Sequence, residues 1–214
     1  MKVLVNGCSH VQGCELHEDA EVSPTLTWPN YVADWQVVNI AQAGSSNDSI
    51  RRRTVQHLEE HHYDFVYIQW SHFDRLELAI PFWQERDLKS RYFSLNSGNA
   101  IELHPRLNNN GALMHVLAQS IFRDQFDDEW FREHSVVQML ALQQYLDSKN
   151  IDWRFGFSYQ VPGDTSLHRC LKQNNLVLPS WVDFCDTHGF KRIEQHYELE
   201  AHWAFAKFIQ EKLQ

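Results

Sequence analysis

Short strand-like runs set between stretches of helical pattern constrain this chain more than any other feature. Val3-Leu4-Val5, Gln36-Val37-Val38-Asn39-Ile40, Asp64-Phe65-Val66-Tyr67-Ile68-Gln69-Trp70 and Asp152-Trp153-Arg154-Phe155-Gly156-Phe157 are rich in β-branched and aromatic residues. Helical spacing intervenes at 48–61, with Ile50, Val55 and Leu58 inward and Arg51, Arg52 and Arg53 outward. It returns at 127–148, through Phe131, Val137, Ala141, Leu142 and Tyr145, and at 198–213, through Leu199, Trp203, Ala206 and Leu213. Parallel neighbours need crossover helices, so this alternation predicts an α/β fold: three layers, α/β/α, around a parallel, flavodoxin-like sheet.

The intervening segments refine that expectation. Thr27-Trp28-Pro29 reads as a helix entry with Pro in the first turn and Tyr31, Val32 and Trp35 on one face. Residues 73–110 carry mixed signals, with a hairpin expected around 92–98, and read as an insertion after the third strand near the active face. A helix is expected over 112–124, and 161–189 reads as loop with one helical turn. No repeat or linker interrupts residues 1–214, so one domain is expected.

A formal net charge of −9 argues against a general nucleic-acid binder, which needs a Lys/Arg surplus. Cys8, Cys14, Cys170 and Cys185 form no CxxC pair and fit reduced thiols better than disulfides. The first apolar run is too short for a secretory signal, and no run approaches the ~20 apolar residues of a membrane span. A cytoplasmic protein without a membrane partner is the expectation. Thirteen His, among them His61, His62, His72, His104, His188, His196 and His202, show no HExxH spacing, so no metal is expected. The eight Trp are expected to fill a large core.

Chemistry is concentrated where strands end. Gly7 breaks the first strand, and Cys8 and Ser9 follow at the carboxyl end, where α/β sheets bind ligands. A serine hydroxyl needs an adjacent base. Gly44 follows the second strand beside Ser45, Ser46 and Asn47; a helix N-terminus there would offer free N–H groups to a developing oxyanion, and a glycine would let another backbone approach. Near the other terminus, Glu194-Gln195-His196 and His202 supply an acid and two candidate bases, while Asp186 and His188 form a second acid–base pair. Cys8, with His10 near in sequence, is a rival nucleophile.

This order of residues resembles the SGNH (GDSL-like) hydrolases. Members place a nucleophilic serine in a Gly-Asp-Ser-like motif after the first strand, a glycine after the second, an asparagine after the third, and a carboxylate and histidine before the last helix. Here the corresponding residues are Gly7-Cys8-Ser9-His10, Asn39 with Gly44, Ile68-Gln69-Trp70-Ser71, and Glu194-Gln195-His196 followed by Ala201-His202. The Gly-Cys-Ser-His and Gln-Trp-Ser blocks look like a divergent branch of a kind met in phage and bacterial genomes. The family's aspartate is Cys8, Tyr197 follows His196 where the family has Pro, and no Asn stands in Trp70-Ser71-His72-Phe73-Asp74-Arg75, where Ser71, His72 or Arg75 would have to serve the oxyanion.

The resemblance implies a serine hydrolase acting on an ester or acyl bond without a cofactor. Ser9 would be the nucleophile, His196 or His202 the base, Glu194 the acid, and Gly44, Ser71 and Arg75 the oxyanion support. The substrate would be a small-molecule, carbohydrate or lipid ester. The same residues would support acyl transfer, and a binding protein keeping the fold without the activity is the alternative of a different class.

Overall fold

A computed structural model describes residues 1–17, 23–79, 92–96, 128–159 and 168–213. In chain order the elements are β1 (Lys2–Asn6), α1 (Ser9–Gln12), β2 (Gln36–Asn39), α2 (Asn47–Glu60), β3 (Phe65–Trp70), β4 (Arg75–Ala79), β5 (Tyr92–Asn96), α3 (Asp128–Ser148), β6 (Asp152–Phe157), α4 (Trp181–Thr187), β7 (Arg192–Ile193), β8 (His196–Tyr197) and α5 (Leu199–Leu213). Four strands form one parallel sheet in the order β2-β1-β3-β6, with Val5 opposite Asn39 and Tyr67, and Tyr67 opposite Arg154. This is the expected flavodoxin-like order. From β1 the chain crosses to β2 on one side, then returns past β1 to β3 on the other. The switch point between β1 and β3 is where such sheets bind ligands, and Ser9 lies at the end of β1.

Strand residues alternate between two cores because side chains on a strand point to opposite faces. Leu4, Val66, Ile68, Trp70, Trp153 and Phe155 pack with Ile50 of α2 and Val136, Met139, Leu142 and Leu146 of α3. Val3, Val5, Phe65 and Tyr67 pack on the other face with Trp28, Trp181, Phe184, Phe205, Ala206 and Ile209. Trp28, Trp70, Trp153 and Trp181 are fully buried, whereas Trp130 and Trp203 are exposed. Among the described residues no helix is long and apolar enough to cross a membrane.

The strands coincide with their sequence signals, but several helix faces do not. In α3 the inward residues include Phe131, Val136, Met139, Leu142 and Leu146, while Val137 and Ala141 face outward. In α5 they are Ala201, His202, Phe205, Ala206 and Ile209, and Trp203 is on the outside. Thr27 precedes only a 3₁₀ turn, Trp28–Tyr31, and the single helical turn expected within 161–189 is the two-turn α4 with two 3₁₀ turns before it. The arginines of α2 are not a free solvated face. Arg51 Nε donates to Gln138 at 2.6 Å, Arg52 forks onto Glu77 at 2.8 and 2.9 Å, and Arg53 donates to the Ile40 carbonyl.

Within 73–110, β4 and β5 pair antiparallel, with Arg75 opposite Asn96 and Ala79 opposite Tyr92. The strand Tyr92–Asn96 thus pairs with Arg75–Ala79, and positions 97–98 of the expected hairpin lie outside the described residues. So does the helix expected at 112–124.

Candidate functional site

At the carboxyl end of β1 the backbone turns within two residues. A Cβ on Gly7 would stand 2.7 Å from Val11 Cγ2 and 2.9 Å from the Gln69 carbonyl oxygen, so only glycine permits this approach of β1 to β3. The turn starts α1 at Ser9, which is 9 % exposed. Gly13 ends α1 in the left-handed conformation, its N–H returning to the Ser9 carbonyl. Cys8 points elsewhere: its thiol is fully buried, 3.2 Å from Ser158 Oγ. Ser158 in turn accepts from Gln69 Nε2 at 3.1 Å, and Gln69 Oε1 accepts from the Trp28 indole at 3.1 Å. This polar chain underlies the site and holds β1, β3 and β6 in register beneath Ser9.

His196 enters on β8, 8 % exposed, and packs against His10, the residue after Ser9, with ring centroids 4.7 Å apart. Its carboxylate neighbour is Glu15. Glu15 Oε2 accepts from the backbone N–H of Gln195 at 3.1 Å and of His196 at 3.3 Å, and lies 3.1 Å from His196 Nδ1. That last approach is off the direction of a hydrogen bond, and Nδ1 has no bonded partner in this arrangement. A small rotation of either side chain would align it, and such bonds are commonly loose before substrate binds. Glu15 has φ 71°, a left-handed backbone that a non-glycine residue adopts only when its surroundings demand it. Glu194 is exposed in the turn between β7 and β8, with φ 53°. The residue adjoining His196 in sequence is therefore not the one whose carboxylate reaches its ring.

The other histidines have different roles. His202 is 2 % exposed and its Nδ1 accepts from the Trp28 backbone N–H at 3.1 Å. Burial, followed by the adjoining His196, depresses its pKa to about 3, so the ring is neutral. A neutral imidazole accepting at Nδ1 carries its proton on Nε2, which leaves His202 no nitrogen with which to take a proton. His202 thus holds the 3₁₀ turn of Trp28 to α5. His188 bonds the Phe184 carbonyl through Nδ1 at 2.8 Å. Asp186 is taken up by Tyr197, 2.5 Å away, and by Arg192. The pair is thus spent on structure.

His10 sits between these groups, with Nε2 3.1 Å from the Tyr159 hydroxyl and Nδ1 buried without a partner. Burial, with the neighbouring His196, His202 and Arg75 acting in the same direction, pushes its pKa well down. Burial raises that of Tyr159. His72 packs edge-on to Tyr159 and lies 2.6 Å from Asp74. Among the described residues no three metal-ligating side chains are grouped to hold an ion.

In the loop after β2, Gly44 has φ 72° and a Cβ there would meet nothing within 4 Å. The glycine is needed for its backbone conformation, not for the close approach expected from the sequence. Among the described residues, the N–H groups of Ser9 and Gly44 donate to no backbone acceptor at this end of the sheet. Ser71 Oγ accepts from Arg75 Nη1 at 2.9 Å, and its N–H donates to Asn47 Oδ1 at 2.9 Å. Asn47, 1 % exposed, ties the loop after β3 to α2 and to Ser135 of α3. Glu15 and Tyr159 escaped the sequence reading, because nothing in the local pattern of either links it to a residue far along the chain.

No family model and no curated protein matches the sequence. Solved structures do match the fold. Esterase EstA from Pseudoalteromonas sp. superposes over 99% of this chain and 93% of its own, with TM-score 0.53 and 11% identity. A member of the lipolytic protein G-D-S-L family from Veillonella parvula covers 99% and 94%, with TM-score 0.51 and 9% identity. The fold is one shared with G-D-S-L esterases. The acetyl xylan esterase AlAXEase extends that likeness over the full length of both chains, at TM-score 0.54 and 10% identity.

Proposed function

We propose that the chain is a serine hydrolase of ester or acyl bonds, with Ser9 as nucleophile, His196 as base and Glu15 as the acid that orients the imidazole. The observation that carries this reading is the packing of His196, with Glu15 at its Nδ1, against the Ser9-His10 turn at the switch point of the sheet. The structural likeness to esterases supports it.

In the first step His196 Nε2 takes the Ser9 proton as Oγ attacks the carbonyl carbon. The carbonyl oxygen becomes an oxyanion received by the N–H groups of Ser9 and Gly44, with Ser71 Oγ beside them. Collapse expels the alcohol, which takes the proton from His196, and leaves an acyl-serine. Water, deprotonated by His196, then releases the acid. Throughout, the Glu15 carboxylate stabilises the imidazolium and keeps Nδ1 as the protonated nitrogen.

The test is labelling with a fluorophosphonate together with turnover of short-chain nitrophenyl esters. The choice of probe follows from EstA, whose structure is of the enzyme inhibited by monoethylphosphonate. Wild type is expected to label once, at Ser9, and Ser9→Ala not at all. A folded wild type that neither labels nor turns over any such ester would refute the assignment.

A further inference from the structure

We propose that Arg75 is an anion-recognition residue, so that the substrate is an ester bearing an oxoanion, carboxylate or phosphate, close to the bond that is cut. The proposal rests on the hydrolase reading above and names its substrate class.

Arg75 opens β4 directly after the turn that leaves β3. Among the described residues one nitrogen makes its hydrogen bonds: Nη1 donates to Ser71 Oγ at 2.9 Å and, more weakly, to the Ser45 carbonyl at 3.5 Å. These contacts brace the guanidinium across the loops after β2 and β3, and leave Nε and Nη2 without an acceptor among the described residues. Among the described residues no carboxylate pairs with it. By contrast, Arg52 is forked onto Glu77 and Arg192 onto Asp186. The adjacent carboxylate, Asp74, faces His72 at 2.6 Å. Its contacts to Ser71 and Ser45 place the half-buried guanidinium among the loops after β3 and β2, at the carboxyl end of the sheet where β1 ends in Ser9.

A half-buried cation held by neutral acceptors has lost water without gaining a counter-charge. Its open edge, Nε and Nη2, is the side of a guanidinium that grips a carboxylate or phosphate through two parallel bonds. The chain as a whole carries a formal charge of −9, so long-range steering would turn such a substrate away. A local cation at the carboxyl end of the sheet is what would reverse that repulsion there.

The experiment compares 4-nitrophenyl butyrate with 4-nitrophenyl hemisuccinate, which differ by a terminal carboxylate, in wild type, Arg75→Lys and Arg75→Met. The ratio of kcat/KM for hemisuccinate over butyrate is expected to fall about tenfold to a hundredfold in Arg75→Met, as loss of a charge-assisted bond implies, with part retained in Arg75→Lys. Inorganic phosphate and succinate, as competitive inhibitors of butyrate hydrolysis, show which oxoanion is held; both should weaken in Arg75→Met. An unchanged ratio would overturn the proposal. So would an equal loss on both esters, which would make Arg75 a support of the oxyanion common to both.

Calorimetric binding of succinate and phosphate to wild type and Arg75→Met needs no turnover. It therefore separates failure of this proposal from failure of the hydrolase reading. Thermal melts confirm that the variants fold, and should one not, oxoanion protection of wild type against unfolding takes its place. No binding and no protection would likewise overturn the proposal.

Discussion

Replacing His202 by Asn should make the fold less sensitive to acid while sparing the turnover proposed for Ser9. In the native state the ring accepts the Trp28 N–H and its pKa is depressed from 6.5 to about 3. The unfolded chain therefore binds a proton that the folded one refuses everywhere between those values, and stability falls as pH drops through that window. One pKa unit is worth about 1.4 kcal/mol, so about two pH units below 6.5 this residue alone withdraws roughly 2.7 kcal/mol. His10, also depressed, acts with the same sign, so wild type should lose more than that in total. Asn keeps an acceptor for the Trp28 N–H but has no proton to refuse. It gives up ring packing on Trp181, 4.6 Å away between centroids, at a cost of about 1–2 kcal/mol at neutral pH. The assay is urea denaturation of wild type and variant at neutral pH and again near pH 4.5. As pH falls, the gap between them should close and then reverse, a relative shift of ~2.7 kcal/mol. Parallel loss of stability in both would refute the account of His202 as a neutral buried acceptor. If His202→Asn abolished ester turnover while still folded, the distinction between His202 and His196 would fall with it.

Other outcomes follow from the same geometry. Gly7→Ala, whose methyl would meet a backbone carbonyl 2.9 Å away, should lose about 1–3 kcal/mol by thermal or chemical denaturation. Gly44→Ala meets no atom and should lose only about 1 kcal/mol, from the left-handed backbone alone; equal losses at the two glycines would contradict this division. Glu15→Gln should cut kcat for a nitrophenyl ester by between about tenfold and about 10⁴-fold with little change in KM, and a variant with wild-type kcat would remove Glu15 from the mechanism.

The parts of the molecule legible in the sequence are those governed by neighbours along the chain. β1, β2, β3 and β6 are readable because short runs rich in β-branched and aromatic residues, closed by turn residues, have few other solutions. The place of Ser9 was readable because it is tied covalently to the end of β1. The helix faces were harder: α3 carries apolar residues on more than one side, so Val137 and Ala141 fit the periodicity as well as Val136 and Met139 do. Only the packing of α3 against the sheet chose between them.

The site divides along the same line. Sequence could nominate His196 and His202 but not rank them, because burial and the Trp28 N–H, which decide His202, come from an element 174 positions away. Glu194 was the natural acid by adjacency, yet a turn at φ 53° carries it to the surface. Glu15 reaches His196 across 181 positions because α1 and β8 converge at one end of the sheet. The sequence alone determined a parallel α/β sheet with a serine at the end of its first strand. The tertiary structure alone decided which charges meet at that end of the sheet, Glu15 at His196 and Arg75 at Ser71, since a carboxylate or a guanidinium acts through distance and burial, and neither is a property of local sequence.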